Sequence, residues 1–136
     1  MRLETMEPDQ VWDPAAHEEA VETLAVWAGE TNFKVWGGDW CGDCREQLPQ
    51  FGAALEAAGV PDDRIEHYPV EKRADGSKTG PRVEEYGVTL IPTVVVEVEG
   101  EELARFVEEE PVPIAEYLAE RLRDHEAPAY TGRQKS

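Results

Sequence analysis

Cysteine is scarce in this chain of 136 residues, which holds only two, Cys41 and Cys44. They stand so close in sequence that a disulfide between them would close a tiny loop and restrain little of the unfolded chain. Their use is therefore chemical rather than a staple. Long apolar runs are missing too: no stretch approaches the ~20 residues that span a bilayer. The opening MRLETMEPDQ lacks the basic-then-apolar order of a signal peptide, so a cytoplasmic protein is expected. Positive charge is the third shortage. Thirteen basic residues face 30 acidic ones, giving a formal charge of −17 and a pI near 4.4. Such a surface repels phosphate backbones and anionic lipid, which argues against nucleic-acid and membrane partners.

Lysine is the rarer base, at Lys34, Lys72, Lys78 and Lys135 only. An acid-rich, lysine-poor surface resembles that of proteins from organisms holding molar salt in their cytoplasm. Charge this far from zero repels itself and low salt leaves it unscreened, so loss of structure below about molar salt is expected. The plainer alternative is a solvated face that aids solubility.

The length fits a single domain, since one core usually serves roughly 100–200 residues. Residues 1–12 carry no periodic pattern and read as a flexible arm, loose or docking. Asp13-Pro14 then supplies an N-cap and a first-turn proline, and Ala20, Leu24, Trp27 and Ala28 recur at helical spacing up to Gly29. The run Phe33-Lys34-Val35-Trp36 is β-prone and ends in Gly37-Gly38. Leu48, Phe51, Leu55 and Ala58 predict a helix from Gly42, with Pro49 kinking it and Gly59 stopping it. Residues 64–70 read as a second strand and 72–79 as a loop. A short helix between Gly80-Pro81 and Gly87 leads to the valine-rich strand 94–98 and a hairpin return through 103–107. Ile114, Tyr117, Leu118 and Leu122 mark a last helix over 113–124, and the tail 125–136 reads as disordered. The domain is thus 13–124. The order αβαβαββα predicts an α/β domain in which a mixed sheet is flanked by helices, with its chemistry at a strand's carboxyl end.

Disulfide exchange is carried by a thiolate, so a working cysteine needs favoured ionisation and access to solvent. Cys41 lies between a strand end and the first turn of a helix, where free amides and the helix dipole favour a negative sulfur. Cys44, one turn on, faces the same side. Cys41 is therefore the expected nucleophile and Cys44 the resolving thiol. Asp39 and Asp43 oppose the dipole, and if both point at the sulfurs they disfavour the thiolate.

Trp40-Cys41-Gly42-Asp43-Cys44 resembles the WCxxC active site of thioredoxins, and the Gly-Asp variant followed by Arg45 and Leu48-Pro49 resembles a thioredoxin-like subfamily. Tyr86-Gly87-Val88 and Ile91-Pro92-Thr93 are similar to the thioredoxin segment at its cis-proline. The resemblance runs from about Phe33 to Leu122 and implies a thioredoxin fold with an N-terminal helix. It also implies that Trp40 shields the centre, that Pro92 is a cis-proline beside the sulfurs, and that the Ile91 peptide group hydrogen-bonds an extended substrate. The pattern departs in two respects: the buried acid six positions before the first cysteine is Val35 here, and the loop that offers a glycine to substrates is the acidic stretch 107–111. A water, Asp43 or Glu46 would then take the resolving proton. The acidic run 108–110 is expected to form a rim that disfavours acidic partners.

Against zinc stands the lack of a second cysteine pair, since His17, His67 and His125 are scattered singly. They read as surface or packing residues, with His67 nearest the centre. Trp12, Trp27 and Trp36 read as core, and Gly37-Gly38 lacks the lysine of a phosphate loop. The resulting expectation is a monomeric cytosolic reductant of protein disulfides, with no bound cofactor or metal and an upstream reductase as partner. The rival is a non-catalytic binding module that presents the Pro92 groove and keeps the cysteines as a redox switch.

Overall fold

A computed structural model describes residues 3–76, 78–108 and 112–124; the tail 125–136 and residues 109 and 110 of the acidic run lie outside the described residues. Among them, no helix is long and apolar enough to cross a membrane. The first amphipathic pattern divides in two. Asp13 caps a 3-10 turn, Pro14–His17, by accepting the Ala15 amide at 3.0 Å, and helix α1 follows over Glu18–Trp27. Strand β1 is Asn32–Gly37, helix α2 Gly42–Ala57 and strand β2 Ile65–Pro69. Helix α2 runs through Pro49, and the chain leaves it at Gly59, whose φ of 78° suits a residue without a Cβ.

Residues 72–79 are not wholly loop: Glu71–Lys72 (β3) pairs antiparallel with Lys78–Thr79 (β4) in a small ribbon. No hydrophobic alternation announces strands this short. A single turn, α3 (Val83–Tyr86), precedes the hairpin of β5 (Thr93–Val98) and β6 (Glu101–Val107), and α4 (Ile114–Arg123) closes the domain.

The main sheet has the order β2-β1-β5-β6, with β1 parallel to β2 and antiparallel to β5. Successive side chains of a strand point to opposite faces, and β1 shows the consequence. Phe33 meets Phe51 of α2 edge-on, and Val35 shares that face; on β5 and β6 it continues through Val94, Val96, Ala104 and Phe106, which packs on Tyr117 of α4. Helices α1, α2 and α4 pack together against this side, and these residues are almost wholly buried. Each such side chain stabilises the fold by about 1.5–3 kcal/mol on burial.

The segment expected as a flexible arm is docked from Leu3 onward. Leu3 and Met6 are buried in the core, at 1% and 3% exposure, with a 3-10 turn over Glu4–Met6. The turn lies directly on α2: a Cβ on Gly52 would come within 2.2 Å of the Met6 carbonyl oxygen, so only glycine admits it there. The Asp9 amide donates to the Pro49 carbonyl at 3.0 Å. An arm of mixed polarity hides its apolar residues from a periodicity argument because a single 3-10 turn is too short to repeat.

Candidate active site

Strand β1 ends at Gly37, and four residues later the chain enters α2 with Cys41 as N-cap, in extended geometry (φ −91°, ψ 127°). The Cys41 amide closes a turn on the Gly38 carbonyl at 3.0 Å, and the Cys41 carbonyl accepts the Arg45 amide at 3.0 Å, the first bond of the helix. An α-helix leaves the amides of its first turn without intrahelical acceptors, so the Cys41 side chain sits beside a concentration of partial positive charge.

The two sulfurs differ sharply in setting. Cys41 is half-buried and Cys44 is fully enclosed, at 0% exposure, and neither is in a disulfide. Burial pushes the Cys44 thiol up to about 12. The Gly38 amide, donating to Cys44 Sγ at 3.4 Å, works against that shift, while the adjacent Cys41, which is in hydrogen-bonding reach, and the charge of Asp43 add to it. A Cβ on Gly37 would lie 2.9 Å from Leu48 Cδ1, 3.4 Å from Leu3 Cδ1 and 3.5 Å from Cys44 Sγ. Leu48, the N-terminal Leu3 and the enclosed sulfur therefore converge over Gly37.

Trp40 stands at the rim, 45% exposed, with its indole N–H donating to the Val70 carbonyl at 2.8 Å. Its ring covers Gly38, where a Cβ would come within 2.5 Å of Nε1. The peptide bond between Ile91 and Pro92 is cis, and Ile91 is buried. Because Trp36 of β1 pairs with Thr93 of β5, the Ile91-Pro92 dipeptide lies at the sheet end where β1 delivers the cysteines. Thr93 steadies this corner by donating its hydroxyl to the Leu90 carbonyl at 2.6 Å.

Asp39 departs from expectation. Its carboxylate turns to the N-terminal turn, accepting the Glu4 amide at 3.2 Å and the Thr5 amide at 3.0 Å. Capping free amides of a turn satisfies the acid better than facing a sulfur would. Asp43 stays exposed in the first turn of α2, and Glu46 is exposed as well, while Val35 is fully buried and apolar. His67 sits on β2 opposite Val35 and accepts the Leu3 amide on Nδ1 at 3.0 Å. His17 stacks on Trp12 and is hydrogen-bonded to the Glu116 carboxylate, a packing role, and His125 lies outside the described residues. Sequence reasoning missed Leu3, Thr5 and the Gly38 amide. Only the i, i+3 spacing of Leu3 and Met6 hinted at the first.

No family model matches the chain, and no curated protein matches it in sequence. Solved structures do match in fold. Oxidised mitochondrial thioredoxin 3 of Saccharomyces cerevisiae is 18% identical, with 76% of this chain and 86% of that one covered at a TM-score of 0.50. The thioredoxin of Fasciola hepatica is 22% identical, with 82% and 94% covered and a TM-score of 0.50. The domain has the thioredoxin fold, a mixed sheet flanked by helices.

Proposed function

From this fold and the paired sulfurs we propose that the protein is a thiol-disulfide oxidoreductase acting as a dithiol reductant of protein disulfides. The observation that carries the reading is the asymmetry of the pair: a half-buried Cys41 capping a helix, with Cys44 enclosed one turn below it. Cys41, as thiolate, attacks one sulfur of a substrate disulfide. A bond forms between Cys41 and that sulfur, and the other substrate sulfur leaves as a thiolate and takes up a proton. Cys44 then loses its proton and attacks Cys41 Sγ, closing the Cys41–Cys44 disulfide and releasing the second substrate thiol. Two electrons pass to the substrate, and an upstream dithiol reductase returns the pair to the reduced form. Trp40 and the cis Ile91-Pro92 corner would flank the incoming chain.

Insulin reduction driven by dithiothreitol tests this. Turnover is expected from the wild type and lost in Cys41→Ser, and Cys44→Ser should accumulate mixed disulfides whose partners name the substrates. A wild type without turnover would instead support the non-catalytic binding module with a redox-switch pair. The full burial of Cys44, which disfavours its thiolate, with no acid in the place of Val35, is the observation that favours that rival.

The finer assignments belong to the same proposal. Residues 40–44 would place the chain in a WCGDC subfamily, working as a cytosolic monomer in a salt-rich cytoplasm without bound cofactor or metal. The charge of −17 supports the salt reading. Circular dichroism melts with and without molar potassium chloride test it, since a melt indifferent to salt would refute it.

A further inference from the structure

The N-terminal segment is held beside Gly37, where its Leu3 converges with the enclosed resolving sulfur. Three separate contacts fix it. Asp39, two residues before the cysteine motif, accepts the Glu4 and Thr5 amides. His67 accepts the Leu3 amide, and Met6 lies on Gly52 in a contact no side chain would permit. Leu3 Cδ1 and Cys44 Sγ share the space over Gly37, at 3.4 and 3.5 Å from the point a Cβ there would occupy. The docking is also imperfect, because Thr5 Oγ1 is buried with no hydrogen-bond partner among the described residues. A buried hydroxyl without a partner is a standing cost to the docked state.

We infer that residues 3–8 form a plug, clamped by Asp39, that keeps water from Cys44 and so sets how fast this thiol resolves a mixed disulfide. The last clause rests on the function proposed above; the plug itself does not. In the docked state Cys44 is cut off from solvent and the sulfur stays a thiol. When the segment lifts, solvent reaches Cys44 and removes the proton. The thiolate attacks Cys41 Sγ, the Cys41–Cys44 bond forms, the bond from Cys41 to the substrate breaks, and the departing substrate sulfur takes up a proton. Asp39 and Leu3 act through Cys44 and are positioning residues.

Alkylation of the reduced full-length chain by iodoacetamide tests the plug without requiring any activity. Cys44 is followed in a Cys41→Ser background and Cys41 in a Cys44→Ser background. Asp39→Ala and Leu3→Ala should each speed Cys44 alkylation by about tenfold or more over any change at Cys41. Phe106→Ala, a core change away from the plug, controls for lost stability and should speed it much less. An equal rise at both sulfurs in Asp39→Ala, as loss of a nearby charge alone would give, overturns the inference. So does an unchanged Cys44, or an equal effect of Phe106→Ala. Should the alanine variants lose their far-UV circular dichroism, Thr5→Val decides. It removes the unpaired hydroxyl and should slow Cys44 alkylation by about twofold or more, whereas an unchanged rate refutes the plug. These outcomes stand whatever insulin reduction gives, so failure of the plug and failure of the redox reading are told apart.

Discussion

The two faces of the sheet solve the same burial problem by different means. One face sets Phe33, Val35, Val94, Val96 and Phe106 against three helices. The other, which meets Tyr86 of the short α3 and Pro81 and Arg82 just before it, carries Lys34, Trp36, Glu66, Tyr68, Glu97 and Arg105. There Lys34 is nearly enclosed between Glu66 at 3.0 Å and Glu97 at 3.7 Å. Tyr86 donates its hydroxyl to Glu97 at 2.7 Å, and Tyr68 is hydrogen-bonded to Glu66. Trp36 stacks on Tyr68 and donates its indole N–H to the Pro81 carbonyl at 2.8 Å. On this face a network of paired charges and aromatic rings does much of the covering. The difference teaches that the helical face is held by volume and the other by complementarity, so the two should fail differently.

The largest effect is expected on the helical face. Phe33→Ala should cost about 3–5 kcal/mol in urea unfolding, because the cavity cannot be refilled by its neighbours. Lys34→Met on the opposite face should cost about 3 kcal/mol, since it strands Glu97, whose side chain is only 10% exposed, without a cation. Adding Glu97→Gln removes the stranded charge and keeps an acceptor for Tyr86, so the double variant should recover most of the loss. Recovery would separate complementarity from volume, and a double variant no better than the single would erase the distinction.

Smaller still is the pH response. Burial tends to lower the Lys34 pKa, but the hydrogen bond and charge of Glu66, with Tyr68 and Glu97, outweigh it and hold the ammonium above its ordinary 10.5. That contribution is whole below 10.5 and is lost as pH rises through the folded value. Burial tends to raise Glu66, yet Tyr68 and Lys34 bring it below its ordinary 4.5, so its share is present above 4.5 and fades as pH falls through the folded value. Melting temperatures should therefore drop on the alkaline side in the wild type and drop less in Lys34→Met. Least of all should be a change that touches neither face. Glu99, in the β5–β6 turn, holds a left-handed φ of 52° before Gly100 at 83°. Glu99→Asn should raise stability by about 0.5–1 kcal/mol, since Asn tolerates that geometry.

The same contrast explains what the sequence made legible. Helical spacing at Leu48, Phe51 and Leu55, and Val94 and Val96 of β5, marked the volume-packed face because apolar periodicity is what a sequence displays. The cysteine motif at a strand end and the Ile91-Pro92-Thr93 segment located the candidate site at one end of the sheet. Lys34, Glu66 and Glu97 were unreadable as a network, for a charge in a strand looks the same whether solvated or paired across the sheet. Asp39 misled for a related reason: its neighbours in sequence are the cysteines, but its partners are Glu4 and Thr5, 35 and 34 positions away. Partnership over such distances is decided by topology.

The bond from Leu3 to His67 spans 64 positions. During synthesis the apolar Leu3 leaves the ribosome long before β2, which carries its His67 partner, has been made. Closing so long a loop costs chain entropy that only an assembled β1–α2–β2 unit can repay. Residues made well before β2 are thus among the last to find their place, and a nascent chain stalled before residue 67 would carry Leu3 bare.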